Sequence, residues 1–396
     1  MTAQRSDVEL DVVIIGGGIQ GLLALDALVE RGFACALVSD GDLGSGQTLH
    51  SHGVLNAGFG FLGPDLPRAL ADVVEPDLRE RGLDLGSEWV LIPPPNFPGL
   101  EHLPAATLPP GFAAPAGAVT PPERNFPKRQ LVEALSEGLQ DRVLVGHAEP
   151  IRGGQRVETV TVRLSATGEE VVLGARAVVI AAGCGSKRLL EGLAGPTPQT
   201  EQIKHRRVHM ICVRAPSGSL PTTSVSAMPL GVMLVAHDQP EHVTWYATPM
   251  EFGGPAYDDV PPDAASEVDP ETIVRGCQAL LGLYPGLPDV EELQIGCYAG
   301  YRQDVGDMPG TRLCELVEGT ANVIIALPSG LVGPWLNVIA VTELLAGLVD
   351  PDGSQPPLPS GGIGVRVGSA VEDRPDFAWM SWTDWVRAYP QLAGPR

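Results

Sequence analysis

The run Asp11-Val12-Val13-Ile14-Ile15 leads directly into Gly16-Gly17-Gly18-Ile19-Gln20-Gly21, and no other feature of the chain limits its fold as strongly. Four β-branched residues in succession read as a buried parallel strand. Leu22 to Arg31 then carries apolar residues at helical spacing and stops at Gly32, so the whole segment is a strand, a tight turn and a helix. In the pattern G-x-G-x-x-G each glycine has its own task. Gly16 permits the turn, Gly18 lets a pyrophosphate approach the backbone, and Gly21 lets the helix pack on the strand. The helix start, with Ile19 and Gln20 in its first turn, directs unpaired N–H groups and a positive dipole end at the phosphates. The expectation is a parallel-sheet α/β domain that holds a dinucleotide.

A second strand, Ala34 to Val38, should end in an acid that holds the ribose hydroxyls. Ser39 stands at that position and Asp40 follows it, so the ribose contact falls to one of the two. No arginine sits there to accept a 2′-phosphate, which argues against NADP.

Charge narrows the class of partner. The 396 residues hold 26 Lys and Arg against 48 Asp and Glu, a formal net charge of −22. Nucleic acid and anionic membrane surfaces need clustered positive charge, so neither is an expected partner. With 44% hydrophobic and 19% charged residues the chain can bury a sizeable core, and its length suggests two domains or two interleaved lobes. The six cysteines form no CxxC pair, which points to free thiols in a reducing compartment. The first ten residues lack a secretory pattern, and the longest apolar stretches are broken by Arg176, Pro334, Asn337 and Glu343. A cytoplasmic protein with no integral membrane segment is expected.

Directly after the second strand comes Gly44-Ser45-Gly46-Gln47-Thr48-Leu49-His50-Ser51-His52-Gly53-Val54-Leu55-Asn56-Ala57-Gly58. This segment resembles the same stretch in the FAD-dependent D-amino-acid oxidase/glycine oxidase superfamily, most closely its L-2-hydroxyglutarate dehydrogenase branch. The resemblance implies FAD as cofactor, with Ser45, Gln47 and Thr48 near the phosphates and His50 to Gly53 beside the isoalloxazine. Three further segments match in order. Val143 to Arg152 resembles the part whose backbone near Ala148 contacts adenine. Ala175 to Gly183 resembles a strand whose small terminal residues, Ala182 and Gly183, let the chain pass close to FAD. Asn322 to Trp335 resembles a strand, a glycine turn at Ser329-Gly330-Leu331-Val332 and a helix whose start faces the flavin pyrimidine. The implied fold is α/β, α+β overall, with a Rossmann-like FAD-binding domain and an interleaved antiparallel-sheet substrate domain. The expected boundaries are 7–64, 126–197 and 297–349 for the first, 65–125 and 198–296 for the second, and 350–396 for a C-terminal extension.

The substrate signal is Ala299-Gly300-Tyr301-Arg302-Gln303-Asp304-Val305-Gly306-Asp307-Met308-Pro309. It resembles the superfamily's Gly-x-Arg-Pro segment, whose arginine holds a substrate carboxylate, although Gln303 replaces the proline. A guanidinium fork suits that task because it makes two parallel charge-assisted bonds. The alternative is that Arg302 pairs with Asp304 or Asp307. His50 and His52, two apart on an extended segment, point to one side. Three roles compete for them: a flavin tether, with His50 aligned to the histidine that carries covalent flavin in related dimethylglycine and sarcosine dehydrogenases; a general base, with His52 taking a hydroxyl or ammonium proton; or packing. Non-covalent FAD is the expectation and a His50 tether the alternative. No third ligand accompanies His-x-His, so no metal is expected.

The remaining segments are coarser. Residues 92–122, rich in Pro and Ala, read as an irregular excursion over one lobe, and Asn125 to Leu139 as a helix. Val208 to Val213, Gly231 to His237 and Val243 to Thr248 read as substrate-lobe strands, with Tyr246 facing either the ligand or the core. Lys204 to Arg207, the basic cluster, reads as a solvated strand edge. After a Pro/Gly/Ser linker, Phe377, Trp379, Trp382 and Trp385 form an apolar stripe that should dock on the chain's own flavin domain or on a second copy. The expected activity is hydride transfer from the α-carbon of a small carboxylate, a 2-hydroxy acid or an amino acid, to flavin. Oxygen or an unidentified acceptor would complete the cycle. The alternatives are a flavin monooxygenase of a biosynthetic pathway and a non-catalytic flavoprotein that binds a partner through its Trp-rich tail.

Overall fold

The computed structural model describes residues 7–55, 69–86, 89–97, 100, 103–113, 117–250, 256–257, 268–306, 312–328, 330–351, 353–359 and 361–393. Ser329, Asp307 and Asn56 to Gly58 lie outside the described residues.

Along the chain the strands are β1 (Val8–Ile15), β2 (Cys35–Ser39), β3 (Val54–Leu55), β4 (Trp89–Ile92) and β5 (Arg124–Asn125). A meander follows, β6 (Val143–Gly153), β7 (Arg156–Leu164) and β8 (Glu170–Ile180). Then come β9 (Ile203–Pro216), β10 (Ser224–Ala227), β11 (Val232–Asp238), β12 (His242–Pro249), β13 (Ala256–Tyr257) and β14 (Gln294–Val305). The last are β15 (Leu313–Leu316), β16 (Val323–Leu327) and β17 (Met380–Ser381). Six helices matter below: α1 (Ile19–Glu30), α2 (Gln47–His50), α3 (Lys128–Ser136), α4 (Pro270–Leu283), α5 (Gly333–Ala346) and α6 (Trp382–Ala388).

Two sheets divide the work. In the first, β6, β2, β1, β8 and β16 run parallel in that order, β15 adds an antiparallel edge, and β7 joins β6 to β8 as a meander. The last six residues of β1 are all buried, without alternation, because both faces of a parallel sheet are covered. One face packs on α1 and α5, and the other on the meander's own apolar side. In the second sheet the order is β17-β14-β9-β12-β11-β10-β4, with β13 beside β9. Side chains alternate across it. Ile211, Val213, Trp245 and Ile295 face α4, whereas Met210, Cys212, Val235, Tyr246 and Tyr298 face Val54 and the segment that carries the two histidines.

Three sequence expectations change here. Asn125 is a strand residue and the helix begins at Lys128, because Pro127 has no N–H and its extended partner Arg124–Asn125 pairs with β3. The whole of β14 pairs with β9, so the expected boundary at 297 falls inside one continuous strand, whose end at Val305 packs with Ile203 into the core of the first sheet. Lys204 to Arg207 lies on the central strand β9, between β14 and β13, and not on a solvated edge. His205 there has no exposed surface, and the charge of Arg206 is met by Asp304 at 2.8 Å.

The C-terminal extension spans both lobes. Gln355 donates to the Phe33 carbonyl, Arg142 donates to that of Pro356, and Leu43 donates its N–H to the Arg366 carbonyl while its own carbonyl accepts from the Gly368 N–H, all on the nucleotide lobe. The chain then crosses the histidine-facing side of the second sheet, where Val371, Phe377 and Trp379 pack. It adds β17 to the edge at Gln294 and Ile295, and it buries Trp385 to 1% exposure beside α4. The linker thus lies on the nucleotide lobe, whereas the stripe of Phe377, Trp379, Trp382 and Trp385, expected to dock on the flavin domain, packs on the second sheet instead. Among the described residues no helix is long and apolar enough to cross a membrane.

Candidate active site

The turn between β1 and α1 leaves room for nothing but backbone. Gly16 has φ +128°, and a Cβ there would stand 2.3 Å from the Ala181 carbonyl oxygen; a Cβ at Gly21 would stand 1.9 Å from that of Gly16. Gly18, the N-cap, supplies no side chain, and the Ile19 N–H is met instead by Thr48 Oγ1 at 3.0 Å. Thr48 thereby fixes the following segment against the start of α1. Gln20 is 3% exposed, yet both polar atoms of its amide lack a partner. Ser39 is buried and donates its hydroxyl to the Gly41 carbonyl at 2.8 Å, while Asp40 is exposed. Ala148 is buried on β6, Ala182 and Gly183 follow the end of β8, and Gly330, with φ +75°, Leu331 and Val332 lead into α5, which packs on α1. Ser45 lies against Gly368 of the extension, and Gln47 accepts a long bond of 3.4 Å from the Gln303 N–H of β14.

Three consecutive carbonyls then anchor the histidine segment to three different elements. The carbonyl of His50 accepts from the Tyr298 hydroxyl at 2.8 Å, that of Ser51 from the Lys128 ammonium at 2.5 Å, and that of His52 from His237 Nε2 at 2.8 Å. Because a carbonyl can only accept, His237 carries its proton on Nε2. The segment is therefore pinned between the glycine turn and the second sheet.

Burial and surrounding cations keep these imidazoles neutral. Burial pushes His50 down to about 4, with Arg374 and Lys128 adding to the effect. His52 falls to about 3 through burial, then Lys128, His237 and Arg302. His237 falls to about 4 by burial, against the opposing pull of its bond to the His52 carbonyl. Arg374 of the extension donates to His50 Nε2 at 2.6 Å, which leaves the His50 proton on Nδ1. Nδ1 of His52 is buried without a partner.

Arg302 realises one of its two expected fates. Its Nε lies 2.8 Å from Asp304 Oδ1 and its Nη2 donates to Oδ2 at 3.0 Å, while Arg206 reaches the same carboxylate. The hydroxyl of Tyr246 donates to Glu372 of the extension, and its ring lies under the Lys128 ammonium, 4.6 Å from the centroid. Tyr246 and Arg302 lie on the same sheet face as Tyr298. Among the described residues no group of three or more His, Cys, Asp or Glu converges as a metal site requires.

The family model described as FAD dependent oxidoreductase (DAO) matches residues 11–328. The chain belongs to the DAO family. It is 30% identical over 239 residues to a probable FAD-dependent oxidoreductase of Pseudomonas aeruginosa, a match that spans 52% of this chain and 58% of that relative. The crystal structure of that protein superposes with a TM-score of 0.68 at 22% identity, covering 98% of this chain and all of the other. Glycine oxidase from Geobacillus kaustophilus (TM-score 0.62, 19% identity, 86% and 96% covered) and L-proline dehydrogenase from P. horikoshii (0.65, 14%, 87% and 96%) share the fold.

FAD is the cofactor of this DAO-family chain, and the glycine turn suits it. The close approaches at Gly16 and Gly21 expose backbone N–H groups at the helix start, and the unpartnered amide of Gln20 adds two polar atoms that a bound ligand would satisfy. Four residues of the site escaped the sequence: Lys128, His237, Tyr298 and Arg374. Each stands on a segment whose pattern reads as ordinary helix, strand or linker, and no spacing rule joins them to His50.

Proposed function

We propose that this DAO-family protein oxidises a small amino acid or 2-hydroxy acid at the carbon next to its carboxylate, holding FAD without a covalent bond. The supporting observation is the histidine segment. It is tied through Thr48 to the start of α1 and through Tyr298, Lys128 and His237 to the second lobe, so the reacting carbon belongs beside it. When bound, FAD supplies the two-electron acceptor. With a pKa near 3, His52 is a weak base at neutral pH; its unpartnered Nδ1 is suited to a hydrogen bond with the substrate's amino or hydroxyl group, which orients the α-carbon. His50 Nε2 is engaged by Arg374, which disfavours a tether through that atom. Glycine and proline in the names of two structural relatives lean the substrate class toward amino acids.

The test is an absorbance spectrum before and after acid precipitation, followed by anaerobic addition of pooled amino acids and pooled hydroxy acids. Yellow flavin in the supernatant, bleached by one pool before precipitation, is the expected result. Colour retained in the pellet, or bleaching by neither pool, would overturn the corresponding half of the proposal.

A further inference from the structure

The C-terminal extension delivers charge to the histidine segment, where the nucleotide lobe meets the second sheet. Glu372 is 4% exposed and bonded to Tyr246, and Arg374, two residues on, reaches His50. The charges nearby are nearly all matched. Lys128 has Glu372 as its dominant opposite charge, Arg214 lies 3.2 Å from Asp373, and Arg302 shares Asp304 with Arg206. Arg374 differs from them: among the described residues its only hydrogen-bonding partner is a neutral imidazole, with no carboxylate in reach. A partly buried guanidinium without a counter-ion is costly, and its planar fork is shaped for a carboxylate. Arg302, by contrast, already has two of its nitrogens on a buried carboxylate.

Resting on the carboxylate substrate proposed above, we propose that Arg374 of the C-terminal extension, and not Arg302, binds that carboxylate. Beside the same imidazole lie the Tyr298 ring, 6.5 Å away between centroids, and the positive charge of Lys128. The extension thus becomes part of the substrate site, although it follows the last flavin segment by some distance in the sequence. Substrate preference would then be set in part by a segment that the family match, ending at residue 328, does not include.

The FAD-loaded full-length protein can be titrated with benzoate and with benzamide, a neutral isostere, while the perturbation of the flavin absorbance is followed. Wild type should bind benzoate more tightly than benzamide. Arg374→Met should erase that preference, with a loss of about tenfold or more for benzoate, as expected for a charge-assisted pair, and little change for benzamide. Arg374→Lys should restore part of it, and Arg302→Met should leave the preference in place. A general loosening of the tail would weaken both ligands alike, so equal losses in Arg374→Met would overturn the assignment. So would a preference that survives Arg374→Met and disappears in Arg302→Met, although the carboxylate substrate class would then stand. Wild type that fails to prefer benzoate would remove the substrate class and this assignment together.

Discussion

The Lys128 ammonium donates to the Ser51 carbonyl across 77 positions of sequence, joining the first turn of α3 to the segment between the two histidines. Burial lowers the pKa of this lysine, and its charge in turn helps to lower those of His50, His52 and His237. One cation therefore contributes to both the position and the protonation of the segment. Lys128→Met keeps much of the side-chain volume and removes charge and donor. The partly buried Ser51 carbonyl loses its partner at a cost of about 1–3 kcal/mol, which urea unfolding should register. In the same variant the His50 and His52 resonances should titrate at higher pH than in wild type; unchanged histidine titrations would show that the charge is screened.

Gly21→Ala tests the glycine turn. The added methyl would stand 1.9 Å from the Gly16 carbonyl oxygen, so α1 must move away from β1 and the phosphate-facing N–H groups with it. The expected protein is apo as purified and gains no flavin fluorescence quenching on reconstitution, whereas Gly46→Ala, with open space around its Cβ, should load FAD normally.

Acid should destabilise this fold before its carboxylates titrate. His50, His52 and His237 have folded pKa values of about 4, 3 and 4 against an ordinary 6.5. Between those limits the unfolded chain binds more protons than the folded one, so stability rises with pH there and is lost as pH falls from 6.5 toward 4. The loss amounts to roughly 3 kcal/mol for each of these histidines over that window. Denaturant midpoints measured from neutral pH down to about pH 5 should show this slope, and His237→Gln should flatten it.

Trp385→Ala should release the end of the extension. Trp385 is 1% exposed against α4, and truncating such a side chain costs about 3–5 kcal/mol. The variant should melt at lower temperature and be clipped by protease within residues 350–396, with FAD retained. Protection equal to wild type would mean that the backbone bond of Gly368 and the side-chain amide bond of Gln355 hold the tail unaided.

Much of the nucleotide lobe was legible in advance because its signals are local. A strand, a turn that only glycine can make and a helix are written in consecutive residues, and Gly16, Gly18 and Gly21 meet at the start of α1 through the backbone alone. The histidine segment was legible as a neighbour of that turn for the same reason, since Thr48 lies only 29 positions from its partner Ile19. Arg302 was ambiguous in sequence because Asp304 stands two residues away, on the same face of a strand, and proximity of that kind appears as pairing only once the strand is built.

The sequence by itself determined the family and the cofactor, because both rest on short-range backbone geometry. Only the tertiary structure decided what surrounds the histidines. Tyr298, Lys128, His237 and Arg374 come from a strand, a helix, another strand and the tail, up to 324 positions from His50, and they meet because two sheets and one extension close on the same segment. Their charges and pKa values follow from burial, a property of packed surroundings that no local pattern encodes.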